Sequence, residues 1–401
     1  MSSNFYSRSL PPEVLGIIFD ETDTESLPSV LCASSTFYSI AYRSLYREIP
    51  NRPTGRKRAQ LLQTLANVSD PARHPARLPS PTQVVHLLSL DFHSNNVTAN
   101  LLRLVNCALK ATENLRELML EFSSTDNFQH MAWCLMGTTF RLRRLYTSVG
   151  LDAALFSWLA HPNQRSITEL NMRGHQMVPF SLSTYLPSDA LPSLTNFRSV
   201  HLESSFNTLF LAGRPVQSVG LTLFPYSRLR SLDAACRTST PVRRLTVLCL
   251  EESCSEGLVA EIAVRLPALE SLHVVILATP FSDVRLIHYF CALQPPTDAC
   301  FPHLQTKLRS LVPSLSLFAA LRYITFMAPD LPGADAFTVD KERGVVEEWA
   351  RACPSLRTVI LPMGQVWYSE DGKWRCYADE PDFPEPTQIR AQLSQTSVVL
   401  A

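Results

Sequence analysis

Leu115-Arg116-Glu117-Leu118-Met119-Leu120 reads apolar, two other residues, apolar, one other residue, apolar, and the chain keeps returning to that phrase. It recurs at Val85-x-x-Leu88-x-Leu90, Ile167-x-x-Leu170-x-Met172, Val216-x-x-Val219-x-Leu221 and Val242-x-x-Leu245-x-Val247. Further instances are Leu269-x-x-Leu272-x-Val274, Leu321-x-x-Ile324-x-Phe326 and Leu356-x-x-Val359-x-Leu361, with weaker copies at Leu142-x-x-Leu145-x-Thr147 and Leu194-x-x-Phe197. Successive middle residues lie 30, 27, 25, 27, 22, 26, 27, 52 and 35 positions apart, so seven of nine gaps fall between 22 and 30 and the 52 is twice 26. Residues two apart in a strand face the same way, so the second and third apolar residues of each phrase point into one layer. The first, three residues earlier, turns the chain from the preceding loop into the strand.

Between the phrases the spacing becomes helical. Leu101, Leu102, Leu104, Val105, Ala108 and Leu109 form one broad apolar stripe. Leu258, Val259, Ile262, Ala263 and Leu266 form another, with Ser255 at the place of an N-terminal cap, and Val346, Trp349, Ala350 and Cys353 form a third. Strand, loop and helix repeated about ten times define an α/β solenoid, with a parallel sheet on one side and helices on the other. Crossover handedness predicts a right-handed curve. The phrase and its period resemble a degenerate leucine-rich repeat, although the asparagine or cysteine that closes the family's phrase is missing here.

The N-terminus has a different texture. Pro11 and Pro12 suit the first turn of a helix, where a missing N–H leaves nothing unpaired. Val14, Ile17 and Ile18 then fall on one apolar stripe, and Leu27, Val30 and Leu31, then Phe37, Ile40, Ala41, Leu45 and Tyr46, continue at helical spacing beyond a polar loop at 20–25. Leu10-Pro11-Pro12-Glu13-Val14, Ile17-Ile18, Leu31, Ser35-x-Phe37 and Leu45-Tyr46 together resemble an F-box, with Ser34 standing where that family usually has an apolar residue. Three short helices bury little surface alone, so part of their apolar face is expected to be free for a partner. The resemblance implies docking onto a Skp-type adaptor, and through it a cullin, by Leu10, Pro11, Pro12, Val14, Ile17, Ile18, Leu31 and Phe37.

Three segments interrupt the repeats. Residues 51–83, rich in proline and arginine, read as a linker, within which Arg56-Lys57-Arg58 is either solvated surface or a short import signal. Residues 294–320 fill the doubled gap, as a decayed repeat, a loop on the binding face, or both. Trp367-Tyr368-Ser369-Glu370-Asp371-Gly372-Lys373-Trp374 is a hairpin, because Asp-Gly forms the two-residue turn that matches strand twist. Its register sets Ser369 opposite Trp374 and Trp367 opposite Cys376, placing both tryptophans on one face. That hairpin reads as a cap on the last repeat or as an aromatic contact patch. The expected organisation is a helical module at 1–50, a linker at 51–83, a solenoid at 84–365, and a hairpin cap with tail at 366–401.

Composition narrows the function. Lys plus Arg and Asp plus Glu stand at 36 each, so no global charge steers the chain to nucleic acid or anionic lipid. Glycine is scarce, with 12 residues in 401, and no Gly-x-Gly-x-x-Gly or Gly-x-x-x-x-Gly-Lys phosphate loop occurs. The histidines show no His-x-x-x-His pair, the ten cysteines no Cys-x-x-Cys, and there is no Gly-x-Ser-x-Gly elbow. The expectation is therefore a non-catalytic protein without metal or cofactor. The opening MSSNFYSRSLPPE lacks the charged-then-apolar order of a signal peptide, and the apolar run around His273–Ala278 is far short of the roughly 20 residues that span a bilayer. An intracellular protein, cytoplasmic or nuclear, is expected, its cysteines reading as buried small hydrophobes.

The leading expectation is a substrate-recognition subunit of a Skp–cullin–F-box ubiquitin ligase that binds an unidentified protein target on its solenoid. The alternative is a non-ligase interaction scaffold with a vestigial F-box. Arginines recur at one place in the phrase, Arg116, Arg143, Arg243, Arg322 and Arg357. With Thr168 and Glu270 they read as the target-facing surface, together with Trp367 and Trp374; the aligned arginines are either a solvated face of the first loop or a sign of an acidic or phosphorylated partner. Box, degenerate repeats and aromatic tail together resemble families expanded in mushroom-forming fungi.

Overall fold

The computed structural model describes residues 10–23, 25–51, 55–67, 81–93, 97–123, 131–174, 186–200, 202, 204–223, 228–249, 256–276, 304–327, 339–362 and 364–377. The chain divides into two compact units, Met1–Ser193 and Leu194–Ala401.

The first unit opens with three helices, α1 (Pro12–Asp20), α2 (Leu27–Ala33) and α3 (Ser35–Arg47). It continues with β1 (Glu48–Ile49), α4 (Gly55–Asn67), α5 (Pro81–Val84), β2 (Leu87–Asp91), α6 (Ala99–Ala111) and β3 (Glu117–Glu121). A 3₁₀ turn at Met131–Leu135, β4 (Arg144–Thr147), α7 (Ala153–Leu159), a second 3₁₀ turn at Pro162–Ser166 and β5 (Glu169–Met172) complete it. Strands β1 to β5 pair in sequence order and all in parallel, with Ile49, Leu88, Leu118, Leu145 and Leu170 in one buried row. α4, α6, the first 3₁₀ turn and α7 stack in the same order. Capping explains where the helices start: Thr98 accepts from the Leu101 N–H at 3.2 Å before α6, and Asp152 from the Leu155 N–H at 2.8 Å before α7. Between repeats, the Asn106 amide of α6 donates to the Cys134 and Met136 carbonyls at 2.8 and 3.0 Å.

Two expectations need correction in this unit. The segment read as a linker contains α4, whose Leu62 and Leu65 are fully buried and whose Arg58 is buried with its guanidinium 5.4 Å from the Phe92 ring centre. Arg58 is thus neither solvated nor displayed as an import signal; residues 52–54 and 68–80 lie outside the described residues. The parallel sheet also begins earlier than expected. β1 follows α3 without a gap and pairs with β2, so the helical module is tied to the first repeat by backbone hydrogen bonds.

The second unit contains β6 (Asn196–Ser199), α8 (Ser204–Leu211), β7 (Ser218–Leu223), α9 (Arg228–Ala235), β8 (Arg244–Cys249), α10 (Glu256–Arg265) and β9 (Ser271–Ile276). α11 (Leu304–Ser310), α12 (Val312–Leu315), β10 (Tyr323–Met327), α13 (Val339–Ala352), β11 (Thr358–Ile360), β12 (Val366–Glu370) and β13 (Lys373–Cys376) follow. β6 to β11 are parallel, with Phe197, Val219, Leu245, Leu272, Ile324 and Val359 in one row. β9 and β10 pair directly, so no further strand stands between them in the sheet. Most of that gap, 277–303, and the Ser255 cap lie outside the described residues. β12 and β13 form an antiparallel hairpin with Ser369 opposite Trp374 and Trp367 opposite Cys376, as the turn chemistry predicts. Asp371 and Gly372 take φ of 52° and 77°, both positive, as this turn requires.

One backbone device repeats in both units. The carbonyl just before a strand accepts two N–H groups from the next repeat: His86 from Arg116 and Glu117 at 2.8 and 2.9 Å, and Arg116 from Arg143 and Arg144 at 2.7 and 3.1 Å. Gln217, Arg243, Glu270 and Arg322 serve Arg243–Arg244, Glu270–Ser271, Arg322–Tyr323 and Arg357–Thr358 in the same way.

Candidate functional site: an uncovered helix and the open faces of the sheets

In α1 the apolar residues occupy two sides. Leu15 and Phe19, four apart, are buried with Leu27 and Ala41, and Val30, Leu31, Phe37, Ile40 and Leu45 pack partly buried around them. The stripe legible in the sequence is the other one. Leu10, Val14, Ile17 and Ile18 remain 50, 39, 66 and 44% exposed. A helix apolar on opposite sides is ordinarily covered on both, and here only one is. Pro11 and Pro12 stand where the sequence placed them, Pro11 capping and Pro12 opening the helix. Leu31 and Phe37, expected as contact residues, instead serve mainly the interior: both are half-buried, and the Phe37 ring meets Phe19 edge-on at 5.5 Å. Ser34 caps α3 by accepting from the Phe37 N–H at 3.0 Å, which accounts for a polar residue at that place. Ser44 bonds Asp20 at 2.6 Å, fixing the end of α1 to α3.

The arginines Arg116, Arg143, Arg322 and Arg357 are exposed, but they do not lie on the strand faces. Each sits at the ladder position just before its strand, and Arg357 donates to the nearby Pro354 and Leu356 carbonyls at 3.3 and 3.1 Å. The sheet face turned away from the apolar rows is built one residue later and at every second residue after that. Those positions carried no signal in single phrases, because their neighbours belong to other strands.

In the first unit this face is charge-paired. Arg144 pairs with Glu117, Arg173 with Glu121 at 3.1 Å, and the Tyr146 hydroxyl donates to Glu169 at 2.7 Å. His93 lies 2.6 Å from Asp91 and 3.9 Å from Glu121. Burial and the Glu169 hydrogen bond both push the Tyr146 phenol upward, so it remains a proton donor.

In the second unit the corresponding face carries other residues. One row across the sheet runs Arg198, Gly220, Thr246, His273, and the row before it runs Asn196, Ser218, Arg244, Ser271. Burial first, then the charges of Arg198 and Arg244, lower the His273 pKa. Ser271 Oγ lies 2.9 Å from His273 Nε2.

Trp367, expected as a contact residue, is fully buried. Its indole N–H donates to Glu342 at 3.1 Å, and the Arg343 guanidinium lies 5.7 Å from the ring centre. Only a half-buried Trp374 remains from the aromatic pair. Of the described cysteines, Cys134, Cys249, Cys353 and Cys376 are buried, and burial pushes the Cys134 thiol up to about 12. Cys32, Cys107 and Cys236 are exposed, contrary to the expectation that all would be interior. Among the described residues no group of three or more His, Cys, Asp or Glu is placed to hold a metal ion, and no helix is long and apolar enough to cross a membrane.

No family model and no curated protein matches this chain. Among solved structures it is similar to the leucine-rich repeat-containing protein LegL7 from Legionella pneumophila, at 14% identity and a TM-score of 0.38 over 72% of this chain and 96% of that one. What defines the class of the molecule is its own geometry: a mixed α/β protein of repeated strand–helix units, with a three-helix module joined to the first strand.

Proposed function

We propose that this protein is the substrate-recognition subunit of a Skp–cullin–F-box ubiquitin ligase, docking a Skp-type adaptor on α1 and a protein target on the sheet. The reading rests above all on the uncovered side of α1, where Leu10, Val14, Ile17 and Ile18 stay exposed in the segment that resembles an F-box. Burying one such side chain contributes roughly 1.5–3 kcal/mol, so a partner helix covering the stripe would gain enough for specific docking. The direct run from α3 into β1 also suits a receptor, because it holds the adaptor-binding helices against the first repeat without a flexible joint. The protein's contribution to ubiquitin transfer is proximity: tethering raises the effective concentration of a target lysine, to about the mM range for a well-matched span.

A pull-down of the full chain with a purified Skp-type adaptor tests this, beside the Pro11→Ala/Ile17→Ala double variant. Wild-type binding weakened more than about thirtyfold in the variant is the expected result, equal to the ~2 kcal/mol of a hot-spot residue. Ile17 is 66% exposed, so helical content should be unchanged by circular dichroism. Equal binding by both proteins rules out the α1 assignment. Adaptor binding without cullin recruitment would instead favour the non-ligase scaffold.

A further inference from the structure

Lysine is ordinarily among the commonest residues of a globular chain. Here the 36 lysines and arginines include only Lys57, Lys110, Lys307, Lys341 and Lys373, and the other 31 are arginines. No lysine occurs in residues 1–56, which contain the three-helix module, and none in β1 to β12. Four of the five lie on α4, α6, α11 and α13, and Lys373 opens β13 beside the hairpin turn. The stem of Lys110 lies against the Gly137 backbone, where a Cβ would come within 2.8 Å of its Cε.

Some of the arginines do what lysine does poorly. Arg144 and Arg173 pair with glutamates across strands, the Arg343 guanidinium lies over the Trp367 ring, and the buried Arg214 donates to the Leu209 and Ala212 carbonyls. Others have no such task. Arg43, Arg116, Arg141, Arg165, Arg230 and Arg351 are exposed, and none of them has an acidic or aromatic partner among the described residues. At solvated positions lysine matches arginine in charge and nearly in helix propensity, so folding does not account for its absence.

What separates the two side chains there is reactivity. A lysine can shed a proton and act as a nucleophile, whereas a guanidinium stays protonated. In the receptor reading, on which this inference rests, a conjugating enzyme carries ubiquitin as a thioester close to the receptor. When a lysine Nζ attacks the thioester carbonyl, a C–N bond forms, the C–S bond breaks, and one amine proton passes to the departing sulfur. Tethering raises the effective concentration of every amine within reach, the receptor's own as well as the target's. We propose that the near-absence of lysine is a protective device: it withholds acceptor amines from the helical module and from β1 to β12, so that the receptor is spared the transfer it directs at its target.

The test assembles the full chain with a Skp-type adaptor, a cullin complex, a conjugating enzyme, ubiquitin and ATP, without a target, and follows ubiquitin joined to the receptor with time. Discharge of the thioester onto free lysine, run alongside, shows that the complex is active. Two variants restore lysine without changing charge, Arg141→Lys/Arg165→Lys in the first unit and Arg230→Lys/Arg351→Lys in the second. At least one is expected to gain ubiquitin about tenfold faster than wild type, at the restored lysines by peptide mapping, as suits an amine held at about mM effective concentration. Wild type modified as fast as both variants would overturn the proposal, and so would variants as unmodified as wild type in an active complex. Either result, with the adaptor bound, leaves the receptor reading standing; failure of the adaptor to bind would remove that reading and this inference with it.

Discussion

Gly174 shows how tightly single positions are held. A Cβ there would sit 2.1 Å from the Val149 carbonyl oxygen and 2.6 Å from its carbon, both backbone atoms that no rotamer change can move. Gly174→Ala must therefore displace one repeat against the next, and overpacking of this kind costs about 1–3 kcal/mol or more. A urea midpoint for the first unit indistinguishable from wild type would contradict the geometry. Nothing in the phrases marks this glycine, since the clash is with a loop one repeat earlier. The α1 helix has the same character. Val14-Ile17-Ile18 and Leu15-Phe19 both satisfy helical spacing, and only the docking of α2 and α3 decides that Leu15 and Phe19 go inside. The sequence stripe was thus found correctly and is the outward one.

Among the elements, strands were the most legible. All ten phrases occupy strands, or lead directly into them, because period-two alternation is a local property that depends on no residue beyond the phrase. The hairpin register was legible for a similar reason, Asp-Gly carrying its own turn geometry. β1 was missed because two residues offer no alternation to read, and α4 because proline and arginine around it obscured the Arg58, Leu62, Leu65 stripe. The cross-strand row Arg198, Gly220, Thr246, His273 was not legible at all, since it exists only once four strands are set in register. The hairpin makes a sharp prediction of its own. Trp367→Phe keeps most of the apolar volume but removes one donor to the buried Glu342 carboxylate. Leaving a buried acceptor short of a partner costs about 1–3 kcal/mol. A loss below about 0.5 kcal/mol in denaturant unfolding of the second unit would mean that the hydrogen bond contributes nothing of note.

Across the full chain, the cysteines offer a readout that needs no ligand. Native protein treated with a thiol-reactive dye should label Cys32 and Cys107 promptly, Cys236 more slowly because burial raises its thiol pKa, and Cys134, Cys249, Cys353 and Cys376 only after unfolding. Peptide mapping checks this, and rapid labelling of Cys134 or Cys353 in the folded state would be incompatible with their burial. Burial and a high thiol pKa act together on Cys134, so its protection should be the most complete. The ladder of shared carbonyls has a consequence for how such a molecule comes into being. Within each unit the donors Arg116, Arg143, Arg243, Arg322 and Arg357 all reach back to an acceptor made earlier in the chain, never forward. A repeat emerging from the ribosome therefore meets a finished template. At ordinary translation speeds it has roughly one to five seconds to zip onto that template before the next repeat arrives.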